Sequence, residues 1–255
     1  IRIDHPFARC MELAAELRAR WMLDFCEIAP AEAPEAGVAH QVAAVMERWL
    51  RRPEPLTLGL GTGRTLRRAV AQLPHIDCQQ HRIISLTGNI ATDGSTAYYN
   101  VLFSLSELVT ARSFPMPLSV ILPTVEERKA MTRQPGIRRV TAMSAEAEVA
   151  FVGVGALDAQ APLLMDGFVT AEDLQALIAA GAVGEIIGWA YDGDGQLIKG
   201  LSNDRVASAP LPPRDRTLVI AAASGASKVP ALRGALQGRL VSGLITDAQT
   251  AEALL

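Results

Sequence analysis

Apolar and polar positions along this chain fall into two rhythms that keep trading places. "MELAAELRARW" and "AGVAHQVAAVMERWL" carry apolar residues three and four apart, the spacing that lines one face of a helix. "LDFCEIAP", "PLTLGL", "RIISLTG", "LSVILP", "EVAFVGVG", "TLVIAAA" and "LVSGLIT" are short, nearly unbroken apolar runs bounded by turn residues. Runs of that kind are expected of strands buried on both faces. Helical patterns follow most of them: "GTGRTLRRAVAQL", "TAYYNVLFSLSELVTA", "VEERKAMTRQ", "TAEDLQALIAAG", "KVPALRGALQG" and "AQTAEALL". This succession predicts an α/β fold, a mostly parallel sheet with helices on both faces. One segment departs from it. "AVGEIIGWAYDGDGQLI" reads as two strands around a "DGDG" turn, a β-hairpin added to the sheet that, with neighbouring helices, forms a cap. There is no internal repeat, low-complexity tract or long linker, so residues 1–255 are expected to form one unit.

Composition narrows the function classes. Of the 255 residues, 49% are apolar and 20% charged, enough to bury a sizeable core. A net charge of −3 supplies no positive field for gripping nucleic acid. Cys10, Cys26 and Cys78 are scattered, as expected of reduced thiols in a cytoplasmic protein. His5, His40, His75 and His81 fit no zinc spacing, so neither a metal nor a cofactor is expected. No apolar stretch approaches the roughly 18 residues of a membrane span, and no signal-peptide pattern is present. The chain opens on Ile1 rather than Met, as a fragment of a longer protein would.

Ligands of open parallel sheets sit beyond the carboxyl ends of the strands, which directs attention to the turns there. The first, "GLGTGRT" (59–65), follows an apolar strand. Gly61 and Gly63 let the backbone bend, Thr62 and Thr65 offer hydroxyls, and Arg64 offers a charged fork; together they describe an anion site. The Walker lysine is absent, and the plainer reading is a glycine turn that lets helix and strand pack. The second turn, "AAASGASK" (221–228), places Ser224, Gly225 and Lys228 where a helix begins. Lys228 is one of three lysines, with Lys129 and Lys199. A cation is disfavoured at a helix N-terminus unless an anion sits between, although a solvated surface lysine is the commoner case. In the third, Thr87, Gly88 and Asn89 end a strand and Asn100 lies in the next helix; they can hydrogen-bond a polyol or merely cap the chain. Glu185, flanked by apolar residues, needs partners if buried, either sugar hydroxyls or an arginine. Gly155, closing "FVGVG", permits close approach of a ligand or of backbone. Catalytic signals are thin: there is no Gly-x-Ser-x-Gly elbow, and Glu185, Asp192 and Asp194 are the only local acid/base candidates.

The stretches "LTLGLGTGRTLRRAV", "EVAFVGVGALD", "LLMDGFVTAEDLQALIAAGAVGEIIGWAYDGDGQ", "NDRV" and "LVIAAASGASKVPALRGALQGRLVSGLITDAQTAEALL" carry a further signal in their order and spacing. By them the chain resembles the SorC-type, sugar-binding family of bacterial transcriptional regulators over nearly its whole length, specifically their C-terminal effector-binding domain. The resemblance implies a Rossmann-like sheet related to sugar-phosphate isomerases and glucosamine-phosphate deaminases. It also implies a sugar or sugar-phosphate effector. Residues 61–65 and 224–228 would hold phosphate, with Glu185 and Asn100 near the sugar. Operator DNA would be read by an N-terminal helix-turn-helix absent from this chain, and the assembly would be a homodimer or homotetramer. Two departures matter. Ser224-Gly225 stands where the family usually has two glycines, and residues 87–89 lack a basic residue that some members place there. A singly phosphorylated or an unphosphorylated sugar therefore fits better than a bisphosphate. The expectation is a sensor and not an enzyme. The alternatives are an isomerase- or deaminase-type enzyme and a subunit serving assembly alone.

Overall fold

The computed structural model describes residues 6–31, 33–91, 94–95 and 100–255. Its strands are β1 (Phe25–Ala29), β2 (Thr57–Leu60), β3 (Arg82–Ile90), β4 (Arg112–Ser119), β5 (Val149–Gly153), β6 (Gly155–Ala156), β7 (Ala182–Ile186), β8 (Trp189–Asp192), β9 (Leu218–Ala222) and β10 (Gly243–Asp247). Its α-helices are α1 (Pro6–Trp21), α2 (Pro34–Leu50), α3 (Arg64–Val70), α4 (Val101–Ser106), α5 (Val125–Thr132), α6 (Pro135–Ser144), α7 (Pro162–Met165), α8 (Ala171–Ala179), α9 (Val229–Gln237) and α10 (Ala248–Leu254). Seven strands pair in parallel in the order β1-β10-β9-β5-β2-β3-β4.

The unbroken apolar strands have the predicted cause. Along β5, Val149 and Phe151 enter the core that α2, α3 and α4 cover, whereas Ala150 and Val152 enter the core beneath α1, α9 and α10. Side chains of a strand alternate between faces, so a strand with helices on both must be apolar throughout. Each Val or Leu fully buried there contributes roughly 1.5–3 kcal/mol. Toward β4, Ile137 and Val140 of α6 pack on Ile84, Met116 and Leu118.

Two expected elements moved. β4 occupies Arg112–Ser119, sharing only Leu118 and Ser119 with the apolar run "LSVILP", and so contains Pro115 and Pro117. As the outermost strand beside β3 it tolerates residues that cannot donate to a ladder. The hairpin exists, but it turns at Ile187 and Gly188, both at positive φ (48° and 92°), the two-residue geometry that suits twisted strands. It joins β6 in a separate antiparallel sheet, β6-β7-β8. "DGDG" is a second turn further on, held by the Asp192 carboxylate accepting the Asp194 and Gln196 N–H groups at 3.0 and 2.9 Å. Of "TAYYNVLFSLSELVTA", residues 96–99 lie outside the described residues and α4 is the described helical part.

The small sheet, α7, α8 and a 3₁₀ turn (Leu201–Arg205) share a core of their own, including Leu163, Leu174, Leu177, Ala190 and Val206. An Arg205–Asp173 ion pair at 2.7 Å ties the turn to α8. No helix among the described residues is long and apolar enough to cross a membrane.

Candidate functional site

From β2 the chain steps outward through β3 to β4, then returns to the other side of β2 as β5 and proceeds toward β1. The loops leaving β2 and β5 therefore diverge and open a crevice at the carboxyl ends of these neighbours. A cavity of about 340 Å³ lies there. Thr62, Gly63, Arg64 and Thr65 line it from the β2 turn, Thr87 and Gly88 from β3, Gly153 from the end of β5 and Gly155 from the start of β6. Ser224 and Lys228 line it from the turn after β9. Both anion-site candidates thus face one cavity.

The two corners are built alike. Gly63 and Gly225 sit at φ 127° and 101°, and a Cβ at either would meet nothing within 4 Å. Glycine is needed there for its backbone freedom and not for space. After Gly225 a 3₁₀ turn (Ala226–Lys228) leads into α9, with the Lys228 N–H donating to the Gly225 carbonyl at 3.0 Å. Lys228 is half-buried. Burial pulls its pKa below the ordinary 10.5; Glu185 and Asp158 push it back up, and the like charge of Arg64 lowers it further.

Glu185 enters from the cap on β7, paired in register with Gly155 of β6. A Cβ at position 155 would stand 2.1 Å from the Glu185 Oε1, so Gly155 makes room for this carboxylate. Its Oε2 accepts the Gly188 N–H at 2.8 Å, a bond supplied by the Ile187-Gly188 turn. Burial raises its pKa; the Gly188 N–H and the Lys228 charge lower it, and Asp166 raises it. Asp166, at the end of α7, also lines the cavity; burial raises its pKa and Arg64 lowers it. The cavity therefore brings two cations from the body into the field of two carboxylates from the cap, with hydroxyls and apolar walls between them. Chemically, such a chamber offers acceptors and donors for hydroxyl groups and two cations for an anionic group.

A family model for a sugar-binding domain matches residues 5–255. The chain is 30% identical over 259 aligned residues to the erythritol catabolism regulatory protein EryD of Brucella abortus, covering 100% of this chain and 82% of that protein. It belongs to the SorC-type sugar-binding family of transcriptional regulators. The transcriptional regulator LsrR of Klebsiella pneumoniae is 26% identical, over 100% of this chain and 79% of its own length. In fold, the full-length sorbitol operon regulator SorC of K. pneumoniae superposes with a TM-score of 0.85 at 19% identity, covering 100% of this chain and 83% of that one. A transcriptional regulator from Streptococcus pneumoniae gives 0.84 at 18% identity, over 97% of each chain. The relatives are transcriptional regulators, not enzymes.

Four residues singled out in the sequence fall outside the wall of this sugar-binding domain's cavity. Gly61 extends β2, its N–H donating to the Phe151 carbonyl at 2.8 Å; a Cβ there would crowd that oxygen and Ile187. Asn89 is buried and bridges elements, its Oδ1 accepting the Met116 N–H at 2.9 Å and its Nδ2 donating to the Asn100 Oδ1 at 3.3 Å. Asn100 stands at the start of α4. Gly225 shapes its corner, but its N–H is committed to Asp247 and Thr250. Of the acid/base candidates only Glu185 lines the cavity; Asp192 and Asp194 form the second hairpin turn, and no histidine among the described residues lines it.

Sequence reasoning missed Asp166, Phe168, Glu35 and Arg68, which also line it. The last two form an ion pair with each other, while Arg64 stands in the field of Asp166 and Lys228 in that of Glu185. Asp166 and Phe168 sit within "LLMDGFVTAED", a stretch quoted for its family likeness, but its polar residue follows no apolar strand. The cue for it was the cap itself: a short helix whose end has to face the crevice.

Proposed function

We propose that this domain is the effector sensor of a sugar-responsive transcriptional regulator and that its effector is a small, singly phosphorylated sugar or sugar alcohol. The observation that carries this reading is the convergence of Arg64 and Lys228, from two corners far apart in sequence, on one cavity at the switch point of the sheet. Lys228, half-buried, and Arg64, exposed at the cavity's rim, stand within each other's field, and a phosphate monoester can accept from both while Glu185 and Asp166 face the hydroxyl end of the ligand. Glu185 and Asp166 would accept sugar hydroxyls, and Thr62, Thr65, Thr87 and Ser224 add donors. A cavity of about 340 Å³ lies at the small end of ligand pockets, which favours a short carbon chain. The name of the EryD relative supports a four-carbon polyol. Ligand bridging body and cap would bias their arrangement, and so control operator binding by a separate DNA-reading region of a cytoplasmic homo-oligomer.

The test is a melting-temperature panel of erythritol, other four- to six-carbon sugars and polyols, and their monophosphates, with phosphorus NMR following each ester. A phosphorylated member present at a hundred times its Kd should raise Tm by about 5–10 °C, and its ester should remain intact. Turnover of the ester, or shifts confined to unphosphorylated compounds, would overturn the reading.

A further inference from the structure

We infer that Asp247 and Thr250 are positioning residues of the anion corner: they fix the turn at Gly225 and thereby aim Ser224 and Lys228 into the cavity. The inference rests on the reading of Lys228 given above and extends it to two residues outside the cavity wall.

The corner has little else to hold it. Gly225, Ala226 and Ser227 are exposed, and no atom lies within 4 Å of where a Gly225 side chain would begin. The 3₁₀ turn after Gly225 packs toward α10 and β6, but Gly225 has no side chain to hold it, so its own position is set by hydrogen bonds. The Gly225 N–H donates to the Thr250 hydroxyl oxygen at 2.8 Å and to Asp247 Oδ2 at 3.2 Å. The Thr250 hydroxyl donates to Asp247 Oδ2, and the Thr250 N–H donates to Asp247 Oδ1 at 2.9 Å. Asp247 and Thr250 are 1% and 2% exposed, so their polar atoms must be satisfied within the protein.

An aspartate capping a helix needs only a bond from that helix's own first turn. Asp247 caps α10 in this way through one oxygen and sends the other across to the loop that follows β9, two elements earlier in the chain. Because the Thr250 hydrogen is given to Asp247, a lone pair of the same oxygen faces Gly225. Donation therefore runs in a fixed direction, from the Gly225 amide to the Thr250 hydroxyl to the Asp247 carboxylate. The Gly225 carbonyl then accepts the Lys228 N–H, which carries the constraint to the residue that lines the cavity.

The direction supplies the test. Asn at 247 would present an NH₂ where an acceptor is required, and Val at 250 would remove the acceptor for Gly225, whereas Ser at 250 keeps it. Calorimetric titration with erythritol phosphate, inorganic phosphate and erythritol would be run on Asp247→Asn, Thr250→Val and Thr250→Ser, each alone and combined with Lys228→Met. Thr250→Val and Asp247→Asn should weaken both phosphate compounds about fivefold or more and change erythritol by less than about twofold, with Thr250→Ser close to the parent. In the Lys228→Met background the same substitutions should lose clearly less phosphate affinity than in the parent, because most of their effect passes through Lys228 and only the share through Ser224 remains. Equal losses in both backgrounds, or an equal loss for erythritol, would overturn the inference. If Asp247→Asn fails to fold, the Thr250 pair decides alone. If Lys228→Met leaves erythritol phosphate binding unchanged, or neither phosphate compound binds saturably, the anion-site reading falls and this inference with it. If Lys228→Met weakens binding and Thr250→Val does not, only the positioning role falls.

Discussion

At the scale of single residues, the charged groups of the cavity are held where burial works against them. Glu185 is raised above its ordinary 4.5 by burial first, with Asp166 adding to the effect. Below 4.5 both folded and unfolded chains carry its proton. As pH rises from there toward the raised folded value, the unfolded chain ionises first, so stability falls across that window and stays lower above it. Glu185→Gln should remove this fall: unfolding by urea between pH 4.5 and neutrality should show a flatter profile for the variant and a gain in stability at neutral pH, with weaker effector binding. Lys228 works in the opposite sense. Its folded pKa lies below 10.5, so the unfolded chain binds more protons there, stability rises with pH in that window, and neutral pH carries the cost of the buried charge. A neutral residue at 228 should therefore leave the ligand-free protein at least as stable at pH 7, read by the same urea titrations. Gly155→Ala should act through Glu185: a Cβ 2.1 Å from its carboxylate forces that group to move, so effector affinity should fall with the fold retained, as shown by titration beside circular dichroism. Lys228, Glu185 and Gly155 were legible because each breaks a local rule: a cation at a helix start, an acid in an apolar strand, a glycine at a strand end. Asn89, read only as a polar residue past a strand, commits its amide to Ser85, Asn100 and the Met116 N–H of β4.

At the scale of elements, the body was readable and the cap was readable only in outline. Strands buried on two faces leave an unmistakable apolar run: β2, β5 and β9 fall within those runs, and β3 and β10 run past the ends of theirs by two residues and one. β4 lies mostly outside its run, because an edge strand is released from the composition that central pairing demands, and its prolines disguise it. The hairpin misled for a related reason. Its true turn uses Ile187 at φ 48°, a conformation disfavoured for a β-branched residue, while the conspicuous "DGDG" supplies a second bend. Packing chose Ile187: it lines the cavity and touches the place where a Gly61 side chain would stand. Gly188 has a steric duty as well, since a Cβ there would lie 2.7 Å from Val120 Cγ1 at positive φ. Gly188→Ala should cost about 1–3 kcal/mol in denaturant unfolding. It should also loosen the N–H bond that holds Glu185, visible as weaker effector binding.

Across the whole molecule, the site joins parts with separate cores, so occupancy can be felt at a distance. The Ser224 corner bonds to the start of α10, and α10 packs on α1 through Ala251 and Leu254 against Leu13 and Leu17. The Trp21 indole N–H donates to the Leu254 carbonyl at 3.2 Å, and Arg9 pairs with Glu252 at 3.3 Å. Hydrogen exchange should therefore slow on effector binding at residues 222–230 and also in α10; protection confined to the cavity wall would deny that route. The convergence of the two corners could be anticipated from the parallel-sheet rule, whereas the cap's contribution depended on contacts that no local pattern encodes. The most direct measurement is calorimetric titration of erythritol phosphate against the parent chain, Arg64→Met and Lys228→Met. If one anion bridges both corners, each substitution should weaken binding by roughly tenfold or more. Binding as tight as the parent's in either variant would contradict the account.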